Sequence, residues 1–133
     1  ESVEPLINND DLHVTNLLGK IETKEEFRDK NCIKVVYDLN KFALYFSRQA
    51  IPTTELYKNS PIGKQVAIIS FRKEFLFKYL SLPETPLEKA ESVDMMRIIE
   101  NGYKIKLVDT KHNTFAVDTK DDLLKVEKLM KNQ

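Results

Sequence analysis

Val66-Ala67-Ile68-Ile69-Ser70-Phe71 is nearly continuous in apolar residues, and a helical pattern of about nine residues follows from Arg72. A run of that kind suits a strand covered on both faces, as in α/β sheets with helices on either side. Upstream lies segment 49–64, with Pro52, Pro61 and Gly63 among polar residues; it reads as the longest loop, a lid or partner-contact loop or a solvated connection. Before it, Ile33-Lys34-Val35-Val36-Tyr37 is β-rich. Asp38-Leu39-Asn40-Lys41 then supplies turn chemistry ahead of a second strand at 43–46, so the two are expected to form a hairpin. Residues 14–21 read as a strand, and Thr23 with Glu26 is a capping box that opens a short helix. Downstream, Thr85 as N-cap, Pro86 at the first helical position, Glu88 closing a capping box and Gly102 as the stop mark a helix over 86–101. Strands at 103–109 and 114–117 follow. Thr119 with Asp122 opens a last helix, striped by Leu123, Val126, Leu129 and Met130. The order β-α-β-β-β-α-α-β-β-α describes an α/β protein, with a mixed, mostly parallel sheet and flanking helices.

A length of 133 residues suits one domain over 1–133, and 41% apolar against 32% charged residues is a globular composition. Lys plus Arg equals Asp plus Glu, 21 against 21, which argues against a general electrostatic role on nucleic acid. No apolar run approaches the roughly 20 residues that span a bilayer, so no membrane role is expected. A single cysteine, Cys32, with only His13 and His112 beside it, excludes an internal disulfide framework and a Cys/His zinc site. A reducing, cytoplasmic compartment fits best. Glu1 is not an initiator methionine, so a fragment or trimmed chain is expected.

Three places carry potential chemistry. Glu91 and Asp94, three apart in the expected helix 86–101, share a stripe with Leu87 and Ile98. Two carboxylates there must meet donors or line a wet cleft, because an unpaired buried carboxylate costs several kcal/mol. Capping a neighbour or pairing with Arg97 is the plainer alternative. Arg48 ends a strand before a proline-containing loop, where ligands of α/β sheets gather, and offers a fork of donors for carboxylate or phosphate; a surface arginine with a local partner is the alternative. Asp118 stands between a strand and a helix, either as a helix-start residue or as an oxygen ligand for a divalent metal. His13 and His112 read as ordinary surface histidines. Gly19, Gly63 and Gly102 are isolated, so no glycine-rich phosphate loop is present.

Leu44-Tyr45-Phe46-Ser47-Arg48-Gln49-Ala50-Ile51-Pro52, preceded by Lys34-Val35-Val36, resembles the signature of the CMP-Kdo synthetases, the sugar cytidylyltransferases that activate 3-deoxy-manno-octulosonate. Pro86-Leu87-Glu88-Lys89-Ala90-Glu91-Ser92, Glu100-Asn101-Gly102-Tyr103-Lys104-Ile105-Lys106 and Val117-Asp118-Thr119 are similar too, in order, over residues 33–130. The resemblance implies a nucleotide-diphospho-sugar transferase-like fold. It also implies transfer of CMP from CTP to a 2-keto-3-deoxy sugar acid for lipopolysaccharide, release of pyrophosphate, magnesium as cofactor, and a homodimer.

By the same resemblance the chain is the C-terminal, sugar-binding and dimerisation half, inactive alone because the nucleotide loop and first metal-binding Asp lie upstream. Ser2-Val3-Glu4-Pro5 is superficially similar to the family's Gln-Gly-Asp-Glu-Pro string without its Asp, and Glu4-Pro5-Leu6-Ile7 reads as the end of the following helix. Arg48 would bind the sugar-acid carboxylate, Asp94 would be an acidic sugar contact, and Asp118 would hold the metal. Glu91 and Gln65 are counted with them as substrate contacts. Three residues depart from the family: Met95 replaces a Gln, and Gln65 and Ile69 stand where His and Tyr are common. Either a different ulosonate or a decayed site is implied. The alternative function is a non-catalytic binding or assembly module that keeps the fold.

Overall fold

The computed structural model describes residues 1–53, 59–112, 114, 117 and 119–131, with the backbone alone for Lys125. Strands form where β-branched and aromatic residues cluster: β1 Val14–Gly19, β2 Lys34–Tyr37, β3 Ala43–Ser47, β4 Ile62–Phe71 and β5 Lys106–Asp109. The helices are α1 Glu4–Asn8, α2 Lys24–Arg28, α3 Lys73–Ser81, α4 Pro86–Glu91, α5 Met95–Glu100 and α6 Lys120–Lys131. None of the described helices is long and apolar enough to cross a membrane.

The five strands form one mixed sheet in the order β3-β2-β4-β1-β5, with helices around it, as expected of an α/β protein. It is not mostly parallel. Among the described strands only β1–β5 is a parallel pair, while β1–β4, β2–β3 and β2–β4 are antiparallel. Chain connectivity gives the reason: a parallel pair needs a crossover of a dozen or more residues, and β2 turns directly into β3 through residues 38–42. The expected hairpin is therefore present, with Lys41 at φ 61° in its turn. The sheet also curls until its outer strands touch. Phe42 bridges Lys106, Ala43 N–H donates to Ile105 O (2.9 Å) and Leu107 N–H to Lys41 O (2.8 Å).

β4 begins at Ile62, inside the expected loop, because Ile62–Lys64 pair with β2. The apolar run that opened the sequence reading is not covered on both faces: Ala67 and Ile68 are exposed. They sit in a bulge, since Asn16 pairs with Ile69 and Leu18 with Gln65, leaving Val66, Ala67 and Ile68 opposite Leu17 alone. Asn16, fully buried, fills the gap: its Nδ2 donates to Val66 O (2.7 Å) and Leu17 O (2.9 Å). Gly63 must lack a side chain here, because a Cβ would lie 2.8 Å from Gly19 O.

Local signals set most helix ends. Glu26 N–H donates to Thr23 Oγ1 (3.0 Å), and Asp122 N–H to Thr119 Oγ1 (3.2 Å). Thr85 N–H donates to Glu88 Oε2 (3.1 Å). Glu4–Asn8 forms a five-residue helix with Pro5 in its first turn. The expected helix 86–101 is two helices, broken at Ser92, which adopts φ 52°, ψ 49°. Gly102 (φ 79°) closes α5 in a Schellman turn, with Tyr103 N–H on Ile98 O (3.1 Å) and Gly102 N–H on Ile99 O (2.9 Å). That turn delays the next strand to Lys106. The expected strand 114–117 rests partly on residues 115 and 116, outside the described ones.

The core joins the sheet to α3 and α5: Val14, Leu18, Val35, Phe46, Phe75, Met95, Met96, Ile98, Ile105 and Leu107 are all buried. Each such side chain contributes about 1.5–3 kcal/mol. His13 is an exposed residue stacked on Phe75 (5.2 Å between centroids), and Phe75 meets Tyr103 edge-on at 5.0 Å.

Candidate functional site

β3 ends at Ser47, buried like Phe46 before it, and Arg48 is the next residue. The break at Ser92 turns α4 so that Glu91 faces this end of β3. Tyr45 Oη and Ser47 Oγ each donate to Glu91 Oε1 (3.0 Å), and Arg48 N–H donates to Oε2 (2.8 Å). Partial burial pushes the Glu91 carboxyl up, but these donors and the Arg48 charge outweigh it and hold it below the usual carboxylate range. Burial, with Glu91 beside it, raises the Tyr45 hydroxyl.

The Arg48 side chain is locked into the same junction. Nε donates to Glu91 O (2.6 Å), Nη2 to Ser92 O (3.0 Å) and Nη1 to Lys30 O (3.1 Å). A guanidinium carries five N–H groups, so one remains on each terminal nitrogen, the number a carboxylate needs for a two-pronged contact. Arg48 is half-buried, and among the described residues no carboxylate sits in its fork.

Asp94 lies just past the Ser92 turn, exposed, on a shallow depression of about 290 Å³ that Glu84, Lys89 and Ser92 also line. The structure thus brings Arg48 and Glu91 into contact and sets Asp94 on the neighbouring surface. It does not leave Glu91 free to meet a ligand, because three donors of β3 take its carboxylate. Gln65 is not in this group either: its Nε2 donates to Asn16 Oδ1 (2.9 Å) and completes the filling of the β4 bulge. Asp118, the expected metal ligand, lies outside the described residues. Among the described residues no group of three or more His, Cys, Asp or Glu converges.

Beneath Arg48 sits a residue that the sequence reading passed over. Lys34 is fully buried, and its Nζ donates to Asp29 O (2.6 Å), Cys32 O (2.7 Å) and Arg48 O (2.7 Å). Burial pulls its ammonium below the usual lysine range. The signal was available in Ile33-Lys34-Val35-Val36: a lysine among apolar strand residues either snorkels out or finds acceptors inside.

α4 and α5 are fastened to each other independently of Arg48. Glu100 Oε2 accepts Leu87 N–H (3.1 Å) and Glu88 N–H (3.2 Å), capping α4 from the far end of α5.

The fold is shared with known proteins. The family model described as cytidylyltransferase matches residues 1–105, and the chain belongs to that family. It is 39% identical to a 3-deoxy-manno-octulosonate cytidylyltransferase of Fusobacterium nucleatum over 93% of this chain and 51% of the relative. It is 37% identical to a protein of the same description from Solibacter usitatus, over 98% of this chain and 52% of that protein. A solved structure described as CMP:2-keto-3-deoxy-manno-octonic acid synthetase complexed with CTP superposes with a TM-score of 0.85. It is 31% identical and is covered over 54% of its chain, by 98% of this one. The chain therefore spans about half the length of the relatives it matches.

Proposed function

We propose that this chain is the sugar-acid-binding portion of a 3-deoxy-manno-octulosonate cytidylyltransferase. The whole protein would transfer CMP from CTP to a 2-keto-3-deoxy sugar acid and release pyrophosphate. The observation that carries this reading is the Arg48 fork, held rigid at the end of β3 with one N–H left on each terminal nitrogen. A fixed fork loses little conformational freedom when a carboxylate docks. Asp94, exposed beside it, would accept hydrogen bonds from sugar hydroxyls. Asp118 would be the magnesium ligand that this chain contributes. The expectation that this portion is the C-terminal half is not supported by the comparisons, which give only that it spans about half of each relative. A homodimer and a cytoplasmic location belong to the same proposal.

The 133-residue chain by itself is expected not to perform the transfer, since positioning and charge stabilisation at phosphate dominate such reactions and no glycine-rich phosphate loop is present. Calorimetric titration with 3-deoxy-manno-octulosonate tests the binding reading: binding by the wild type and its loss in Arg48→Ala support it. Absence of binding by the wild type contradicts it. Pyrophosphate release from CTP, magnesium and the sugar acid tests the second point, and turnover abolished by Arg48→Ala would refute it.

One observation favours the alternative, an assembly module that keeps the fold without the chemistry. Two of the expected contacts, Glu91 and Gln65, have protein partners for their polar ends. Under that reading the chain self-associates and ignores the sugar acid.

A further inference from the structure

We propose that Lys34 is the positioning residue that aims the Arg48 guanidinium, and that through it Lys34 governs capture of the sugar-acid carboxylate; this last step rests on the function proposed above. The connection is a closed circuit of hydrogen bonds. Lys34 Nζ holds the carbonyl of Arg48 itself at 2.7 Å. It also holds Asp29 O (2.6 Å) and Cys32 O (2.7 Å), which flank the Lys30 carbonyl that receives Arg48 Nη1 at 3.1 Å. One ammonium therefore fixes both the backbone from which Arg48 projects and the loop that its fork leans on. Its three N–H groups meet three acceptors, so the donors of the head are fully used. All three acceptors are backbone carbonyls; none is a carboxylate. An apolar side chain would fill the same space without holding those carbonyls.

The test is hydrogen exchange of arginine Nε–H groups, followed by NMR on the 133-residue chain and its Lys34→Met variant. Arg72 is the internal control: its Nε donates to Leu12 O (2.8 Å), away from Lys34. The expected result is Arg48 Nε–H exchange faster by about tenfold or more in Lys34→Met, with Arg72 unchanged, as fits the loss of charge-assisted hydrogen bonds. Unchanged Arg48 exchange overturns the proposal, and so does equal acceleration at both arginines, which would mean general loosening. Should Lys34→Met not fold, Lys34→Gln, which keeps an amide donor, is judged by the same criterion; if that too fails to fold, Lys34 is a folding residue and the proposal falls. Titration of both proteins with 3-deoxy-manno-octulosonate then separates the two layers. Binding weakened about tenfold in Lys34→Met supports the full assignment. No binding by the wild type, with the exchange result intact, refutes the sugar-acid step and leaves the aiming of Arg48 standing.

Discussion

Glu88 and Arg97 face each other across the turn between α4 and α5 in a two-pronged pair. Arg97 Nε is 2.8 Å from Oε2 and Nη2 is 2.5 Å from Oε1, with side chains only 10% and 16% exposed. Arg97 also donates to Leu82 O (3.2 Å) and lies over the Tyr79 ring at 5.1 Å, so one guanidinium ties α3, α4 and α5 together. Removing it leaves a mostly buried carboxylate without its main donor. We expect Arg97→Met to cost about 3 kcal/mol, the scale for breaking one side of a buried pair. Urea unfolding measures this, and a loss below about 1 kcal/mol, the range of surface pairs, would show that solvent replaces the pair.

Glu91 should make stability fall in acid. Its folded-state pKa lies below the unfolded value of about 4.3, so its contribution is complete above that pH. It is lost as pH drops through the lower folded value. The unfolding free energy of wild type should therefore exceed that of Glu91→Gln most at neutral pH, and the gap should close as pH falls through the lowered folded value. A gap that stays constant across this range would show that the charge of Glu91 does not matter.

Asn16 supports the β4 bulge from inside, and its loss would strand Val66 O and Leu17 O in the core. Asn16→Leu should destabilise the chain by about 2–3 kcal/mol in thermal or urea unfolding, given the cost of unsatisfied buried carbonyls. Gln65→Ala removes only the clamp on Asn16 and should cost about 1 kcal/mol. If Gln65→Ala instead left stability intact and abolished sugar-acid binding, Gln65 would belong to the ligand site after all.

Self-association is the outcome expected of the outward face of α3. Leu76, Phe77 and Leu80 are exposed at 36%, 61% and 64%, on a helix whose Phe75 and Tyr79 already serve the core. Sedimentation velocity at tens of micromolar should show a dimer, and Phe77→Glu should shift it toward monomer. A wild type that stays monomeric at that concentration would contradict the expectation.

The sequence was most legible where a local rule decides the outcome. Thr23 with Glu26, Thr85 with Pro86, and Gly102 each mark a helix end by chemistry confined to a few residues. Ser92 could not be read in this way, because a serine carries no signal for φ 52°; the contacts of Glu91 and Arg97 with other elements hold the break. Strand direction was equally hidden. Val66–Phe71 is apolar enough for a doubly covered strand, yet part of that run bulges out opposite Leu17, a matter of register with a strand some fifty residues earlier. At the candidate site the fork of Arg48 was legible as a residue type in a strand-end position. Its partners were not, since Lys30 O, Glu91 O and Ser92 O are main-chain atoms that no side-chain pattern encodes.

The bridge between Phe42 and Lys106 bears on how this molecule behaves in a crowded solution. An open sheet ends in rows of unpaired N–H and C=O groups that template the addition of foreign strands, the first step toward fibrils. Here the beginning of β3 and the beginning of β5 consume each other's groups, through Ala43 on Ile105 and Leu107 on Lys41. At that corner a passing extended segment finds these donors and acceptors already spoken for, beside the charges of Lys41, Lys106 and Asp109, so edgewise addition is blocked there.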